Sequence, residues 1–251
     1  MKLTGKTALI TGGSTGIGRE IARLYAKEGA NLCINYHNHA ADAEKLKEEL
    51  ENSYDAKVIL CQGDVCDEET VKDMISITLN TFGTLDILVC SAGINHQVCV
   101  EDMTSEDWDR MITCNLRSIF LCCHYALAPM LKQGFGRIIN VTSQLGQIGG
   151  FGSAHYSAAK AGIIGFTKSL AREVSKRGVT ANCIAPGPVA TPFFFNGCTP
   201  KWREEKLASL PLGRFGEAEE VAPSALLLAA EPDGNLFTGQ TLGPNSGDVM
   251  L

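Results

Sequence analysis

Along this chain, short runs of apolar and branched residues alternate with longer stretches whose apolar positions recur every three or four residues. The short runs are TALIT (7–11), NLCIN (31–35), KVILCQ (57–62), LDILVC (85–90), GRIINVTS (136–143), VTANCIAP (179–186) and GQTLGP (239–244). Helical spacing covers 17–29, 39–52, 67–82, 104–132, 155–177 and 217–230. The short runs are apolar at consecutive positions, as befits strands buried on both faces by helices. The alternation predicts an α/β fold over 1–251: one domain, a Rossmann-like doubly wound parallel sheet of about seven strands with helices on both faces. The rhythm breaks once, in GPVATPFFFNGCTPKWREEKLASLPLGRFG. An insertion of that length, at about 188–215, is expected to be a substrate lid.

Directly after the first run comes TGGSTGIG (11–18), leading into a helical stretch. Gly12, Gly16 and Gly18 let the backbone turn sharply and approach a pyrophosphate, and the following helix aims its first amides at the phosphates. A strand before and a helix after supply the context that a glycine-rich loop needs. The loop lacks the Gly-Lys-Ser/Thr ending of a mononucleotide P-loop, so a dinucleotide is the expected ligand. An acidic residue after the second strand would bind the ribose 2′-hydroxyl of NAD. That stretch here is Asn35, Tyr36 and His37, without a carboxylate, and Asp42 lies too far into the next helix. The cofactor expected is therefore NADP(H), with His37 near the 2′-phosphate and NAD(H) as the alternative. Asp64 and Val65, after the third run, stand where an adenine edge could be held, unless Asp64 only caps the strand end.

HYSAAKAG (155–162) places Tyr156 and Lys160 one turn apart on one helix face. Reducing a carbonyl takes a hydride at carbon and a proton at oxygen. Tyrosine, with a pKa near 10, becomes a useful acid only when its phenolate is stabilised, and a cation one turn away favours the charged form. The apolar stripe of that helix is Ala159, Ile163, Phe166, Leu170 and Val174; Tyr156 and Lys160 lie toward its edge, so the stripe does not explain them. Ser143 ends the fifth run, at the crevice where open α/β sheets bind ligands.

A net charge of −6 without a clustered basic stripe argues against nucleic acid or an anionic membrane as partner. The opening MKLTGKTALI lacks the apolar core and cleavage site of a secretory leader, and SIFLCCHYALAPML is short for a membrane span and carries His124. A cytoplasmic, reducing location is expected. The ten cysteines (Cys33, Cys61, Cys66, Cys90, Cys99, Cys114, Cys122, Cys123, Cys183 and Cys198) make no C-x-x-C pair and are expected to be buried small hydrophobes. His37 and His39 have no cysteine near enough to complete a zinc set, so no metal is expected.

Taken in order, TGGSTGIG, CSAG (90–93), Asn115, Ser143, YSAAK (156–160), Pro186-Gly187 with Thr191, and GRFGEAEEVA resemble a short-chain dehydrogenase/reductase of the classical type, end to end. Within that family the chain is most similar to the 3-oxoacyl-carrier-protein reductases and many ketone and polyol reductases. The resemblance implies hydride transfer from a nicotinamide, and a homotetramer or homodimer. It assigns catalysis to Asn115, Ser143, Tyr156 and Lys160, with Asn115 placing a water and Lys160 also holding the nicotinamide ribose. It adds Ser14, Thr15, Ile17, Ser91, Ala92, Gly93, Pro186, Gly187 and Val189 to the cofactor set, beside Tyr156, Lys160 and Thr191. CSAG departs from the usual NNAG, removing two amides that brace the fourth strand, and Thr15 stands where NADPH-preferring relatives often carry a basic residue.

His96, Gln144, Phe151, His155 and Phe193 follow strand ends or open the lid and are the expected substrate contacts. Lys132, Arg137, Lys176 and Arg177 offer an incomplete basic set for an acidic carrier. The function expected is an NADP(H)-dependent carbonyl reductase of a 3-oxoacyl thioester or small ketone. An NAD(H)-dependent polyol or sugar dehydrogenase is the second reading, and a non-enzymatic cofactor-binding scaffold the third.

Overall fold

Seven strands, β1 (Thr7–Thr11), β2 (Asn31–Tyr36), β3 (Val58–Gln62), β4 (Ile87–Cys90), β5 (Gly136–Val141), β6 (Val179–Ile184) and β7 (Thr241–Leu242), form one sheet in the order β3-β2-β1-β4-β5-β6-β7. Every neighbouring pair is parallel. The computed structural model describes residues 1–196 and 199–250; the expectation for Cys198 lies outside them.

Alternation along each strand divides the core into two layers. Ala8 and Ile10 of β1 pack with Ile21 and Tyr25 of α1 (Gly16–Lys27), Leu46 and Leu50 of α2 (Ala40–Ser53) and Leu228 of α10 (Ala218–Ala229). Leu9, one residue along, faces Val71 and Met74 of α3 (Glu68–Phe82), and the same layer takes residues of α5 (Ser118–Gln133) and α7 (Ala154–Val174). Each fully buried Leu or Ile contributes on the order of 1.5–3 kcal/mol, so both layers are needed. The chain doubles back after β3, and β1 takes β4 as its other neighbour. That reversal opens a crevice at the carboxyl ends of β1 and β4.

Strand ends match the hydrophobic pattern within two residues throughout; β7 is the shortest, only Thr241–Leu242, paired with Cys183 and Ile184. The expected helix over 104–132 is three pieces: α4 (Ser105–Ile112), a five-residue π turn (Thr113–Arg117) and α5. A π turn carries one residue more than an α turn and so rotates the next helix about its axis. Here it turns Asn115 inward, where Nδ2 donates to the carbonyls of Ile94 (3.0 Å) and Met111 (3.1 Å). Joined end to end, Ser105–Gln133 is as long and apolar as a membrane-crossing helix, contrary to the sequence expectation. Its buried residues Ile119, Cys122, Ala126 and Met130 lie against the sheet.

Between β5 and α7 stands the short α6 (Leu145–Ile148), and the 188–215 insertion contains α8 (Pro192–Asn196) and α9 (Pro200–Ser209). Phe194 packs edge-on to Phe195 and Phe215, with Trp202 also alongside. Among the cysteines, Cys33, Cys61, Cys90, Cys122, Cys123 and Cys183 are buried as expected, whereas Cys66, Cys99 and Cys114 are partly exposed.

Candidate active site

The loop after β1 turns through positive φ at Gly12 and Gly16. A Cβ on Gly12 would lie 2.9 Å from the Ala92 Cα, and one on Gly18 would collide with the Gly12 carbonyl. The loop therefore lies tight against the end of β4 and the start of α1. Thr15, the N-cap of α1, makes no side-chain cap bond, and the first turn carries no acid. Its open amides and the positive end of the helix dipole face the crevice, an arrangement suited to phosphate.

Asn35 does not face that space. It is 2% exposed; its Nδ2 donates to the carbonyls of Cys61 (3.2 Å) and Gly63 (3.1 Å), and its Oδ1 accepts from the Gly12 amide at 3.4 Å. Its amide braces the glycine loop, which corrects the expected cofactor contact. Tyr36 is nearly buried and His37 is exposed beyond it. Asp64 accepts from the Cys66 amide at 2.9 Å, so one of its oxygens caps the turn after β3. Val65 is buried. Cys90 joins the buried sulfurs of the core, and Thr11 supplies the brace at CSAG: its hydroxyl accepts from the amides of Ser91 (3.1 Å) and Ala92 (3.2 Å). Gly187 packs against Asn245, Thr191 lies against Gly16, and Val189 pairs with Gly216.

Tyr156 and Lys160 are buried, 6% and 5% exposed, rather than at the stripe's edge. Burial pushes the Tyr156 phenol up to about 12, while a hydrogen bond with Ser143 works the other way. Burial also lowers the Lys160 ammonium to about 8, partly opposed by the neighbouring thiols of Cys183 and Cys90. Lys160 Nζ donates to the Val141 carbonyl at 3.1 Å and stands 5.5 Å from the Tyr156 ring centroid. At that distance burial, not the ammonium, governs the phenol. A Cβ on Gly93 would fall 2.5 Å from Asn115 Oδ1 and 3.7 Å from Lys160 Nζ, so these groups share one space beside Gly93. Asn115 Oδ1 is buried without a hydrogen-bond partner.

The family model for short chain dehydrogenases matches residues 6–197. The chain belongs to the short-chain dehydrogenase family. It is 40% identical, over the full length of both chains, to the 3-oxoacyl-acyl-carrier-protein reductase FabG of Staphylococcus aureus strain Mu50. It is 41% identical to the 3-oxoacyl-acyl-carrier-protein reductase of Synechocystis sp., covering 99% of each chain. A solved dehydrogenase/reductase from Sinorhizobium meliloti 1021 superposes with a TM-score of 0.92 at 34% identity, covering 99% of this chain and 97% of that one. This dehydrogenase is accordingly an oxidoreductase acting on ketone and hydroxyl groups with a nicotinamide cofactor. Its residues fit such a group: the glycine cradle admits no side chain, α1 presents unbonded amides, and the buried Asn115 oxygen lacks a partner.

Beside Gly93 a cleft is lined by Ile94, Asn95, His96, Asp107, Arg110 and Phe193. His96 and Phe193 are thus where a substrate contact was expected. His155 is buried behind His96, their Nε2 atoms 3.3 Å apart; its Nδ1 accepts from the Tyr156 amide at 2.9 Å, and burial lowers its pKa. Gln144 and Phe151 do not line the cleft. Gln144 donates to Asp248 near the carboxyl terminus, and Phe151 is 89% exposed. Asp107 and Arg110, which the sequence pattern did not single out, stand on α4; Asp107 is 3.4 Å from His96 and completes the capping box with Thr104. That capping box was the available signal.

Arg137 is not part of a docking rim. It is 5% exposed, its guanidinium lies 4.4 Å over the Phe135 ring, and it donates to Asn235 at 2.8 Å. With Lys132, Lys176 and Arg177 it sits where β5 and β6 begin, the end of the sheet opposite Tyr156 in the same protomer.

Proposed function

We propose that this dehydrogenase reduces the keto group of a 3-oxoacyl thioester or small ketone with NADPH. The observation that carries this reading is the shared space of Tyr156, Lys160, Asn115 and Gly93 at the sheet's switch point. The nicotinamide, when bound, supplies the hydride that reaches the carbonyl carbon. Tyr156 keeps its proton at neutral pH and gives it to the carbonyl oxygen, so each ketone gains one hydride and one proton. Ser143 steadies that oxygen and the phenolate left behind. Lys160, largely charged at neutral pH, favours the phenolate, and the free oxygen of Asn115 holds a water on the path that returns the proton. NADPH is favoured because no carboxylate stands at Tyr36–His37 to repel a 2′-phosphate. The named activity of relatives 40% identical over the full chain supports the thioester.

The insertion at 188–215 acts as the lid and brings Phe193 to the cleft. The protein works in the cytoplasm as a homotetramer or homodimer through the outer face of α5 and α7, where Phe120 is exposed and lies edge-on to Phe166. Light scattering that returned a monomer would refute the assembly.

The polar cleft wall of Asn95, His96, Asp107 and Arg110 favours a second reading, a polyol or sugar dehydrogenase. One experiment separates the two: NADPH and NADH oxidation followed in parallel with a 3-oxoacyl thioester, simple diketones and several ketoses. Rapid NADPH loss on the thioester or a diketone is expected; turnover on ketoses alone, with NADH, would overturn the proposal. Tyr156→Phe should lower kcat by about 100-fold or more while leaving cofactor binding intact. Undiminished turnover would refute the proton donor.

A further inference from the structure

The sulfurs of Cys66 and Cys114 lie 3.1 Å apart, and both residues are partly exposed. The other close thiols differ in access: Cys33 and Cys61, 3.4 Å apart, are buried between β2 and β3, and Cys90, Cys122 and Cys123 are buried in the core. Cys66 comes after β3, two residues past Asp64, and Cys114 sits in the π turn, directly before Asn115. Arg117 of the same π turn already holds the Cys66 carbonyl at 2.9 Å, and the Cys114 carbonyl accepts from Ser118 at 2.8 Å.

We propose that Cys66 and Cys114 are a dithiol modification site that closes to a disulfide on exposure to a low-molecular-weight disulfide of the glutathione type, and that closure slows the enzyme. A disulfide bond is about 2.05 Å long, so the two sulfurs must approach by about 1 Å. Burial and the neighbouring Cys114 sulfur hold the Cys66 thiol up, so Cys66 keeps its proton and the first attack falls to Cys114. The Cys114 thiolate, its proton lost to solvent, displaces one small thiolate from the oxidant and forms a mixed disulfide. Cys66 then gives up its proton and attacks the Cys114 sulfur, releasing the second small thiolate. Two protein thiols are oxidised, and one small disulfide is reduced to two thiols.

Closure ties the turn after β3 to the π turn and draws on the residue next to Asn115. Misplacing a catalytic group by about 1 Å can cost as much as 100-fold in rate, so a loss of about tenfold is expected. This second half rests on the role proposed for Asn115; formation of the bond does not.

The test incubates the purified enzyme with oxidised glutathione, blocks free thiols, digests with trypsin and monitors turnover in parallel. A peptide of 58–72 linked to one of 111–117, with fragment ions placing the bridge on Cys66 rather than Cys61, is expected. Dithiothreitol should abolish the link and restore the rate; Cys114→Ser should keep its rate through the oxidant, and Cys66→Ser should hold one glutathione on Cys114 and form no link. Free or singly glutathionylated sulfurs at both positions would overturn the site. A linked protein that turns over at the reduced enzyme's rate would overturn the effect, leaving the reading of Tyr156 untouched.

Discussion

Replacing Lys160 with methionine should make the protein more stable and inactive. The side chain is 5% exposed; its ammonium meets the Val141 carbonyl and the Tyr156 ring rather than a carboxylate. Its pKa falls from 10.5 to about 8 on folding. At about 1.36 kcal/mol per unit, the charged form costs the native state about 3 kcal/mol at pH 7. Methionine removes that cost but leaves the Val141 carbonyl without its donor, worth about 1–2 kcal/mol. The net gain is about 1–2 kcal/mol, or about 2–8 °C in melting temperature for a chain of this size. The sign reverses the usual lysine case. Between pH 8 and 10.5 the unfolded chain holds a proton that the native state has released, so wild-type stability rises with pH and the variant's advantage shrinks. By pH 9.5 about 2 kcal/mol of the original cost is gone, while Tyr156, which ionises in the unfolded chain only near pH 10, has barely begun to act in the opposite direction. Equilibrium urea unfolding of both proteins at pH 7 and 9.5 measures the gap. A variant no more stable than wild type at pH 7, or a gap unchanged at pH 9.5, would refute the account of Lys160 as a buried charge kept for chemistry.

Three further outcomes are expected from the same geometry. In Gly18→Ala, helix propensity favours alanine by about 1 kcal/mol, but the new methyl meets backbone at Gly12 and cannot be relieved by a side-chain rotation. The cofactor KM should therefore rise about tenfold, read by steady-state kinetics, whereas an unchanged KM would put the pyrophosphate elsewhere. Asp248 binds Lys206 of α9 at 2.5 Å and also accepts from Gln144, so it ties the 188–215 insertion to the loop after Ser143. Asp248→Asn should raise the substrate KM severalfold with a stability loss of about 1 kcal/mol; proteolysis within 188–215 should quicken. Arg137→Ala should lower stability by about 2–4 kcal/mol in urea unfolding with little effect on KM for a carrier-bound substrate, and a raised KM would return Arg137 to docking.

How much the sequence disclosed depends on how local the determining contacts are. β1, β2 and β4 to β6 announce themselves because both faces are apolar, and the glycine loop because a strand end and a helix start flank it in the chain. Asn35 misled because the position after β2 was judged by its distance from the loop, while the strand's alternation sends residues 33 and 35 under the sheet toward α3. Nothing in the sequence marks the π turn, since its extra residue is held by Ile94, 21 residues earlier. Arg110 was equally hidden: it reaches the cleft only because α4 begins beside the loop after β4.

Where the structure leaves polar groups unmatched also bears on function. Buried amides elsewhere are satisfied: Asn140 donates to Thr167, and Asn182 donates to the Phe237 carbonyl. At the opposite end of the sheet Thr180 buries a hydroxyl and Arg137 one nitrogen without a partner, though the rest of the Arg137 guanidinium is bonded and stacked on Phe135. At the carboxyl ends of β4 and β5 the pattern changes. Asn95, Asn115 and Gln144 each bury an oxygen without a donor, Lys160 carries a charge that folding disfavours, and the helix beside them is interrupted by a π turn. Each such group costs about 1–3 kcal/mol. A fold selected for stability alone would shed them, as the apolar layers on either side have done. Asn95, Asn115 and Lys160 meet beside Gly93, an arrangement that supports the site proposed from the Tyr156–Lys160 spacing.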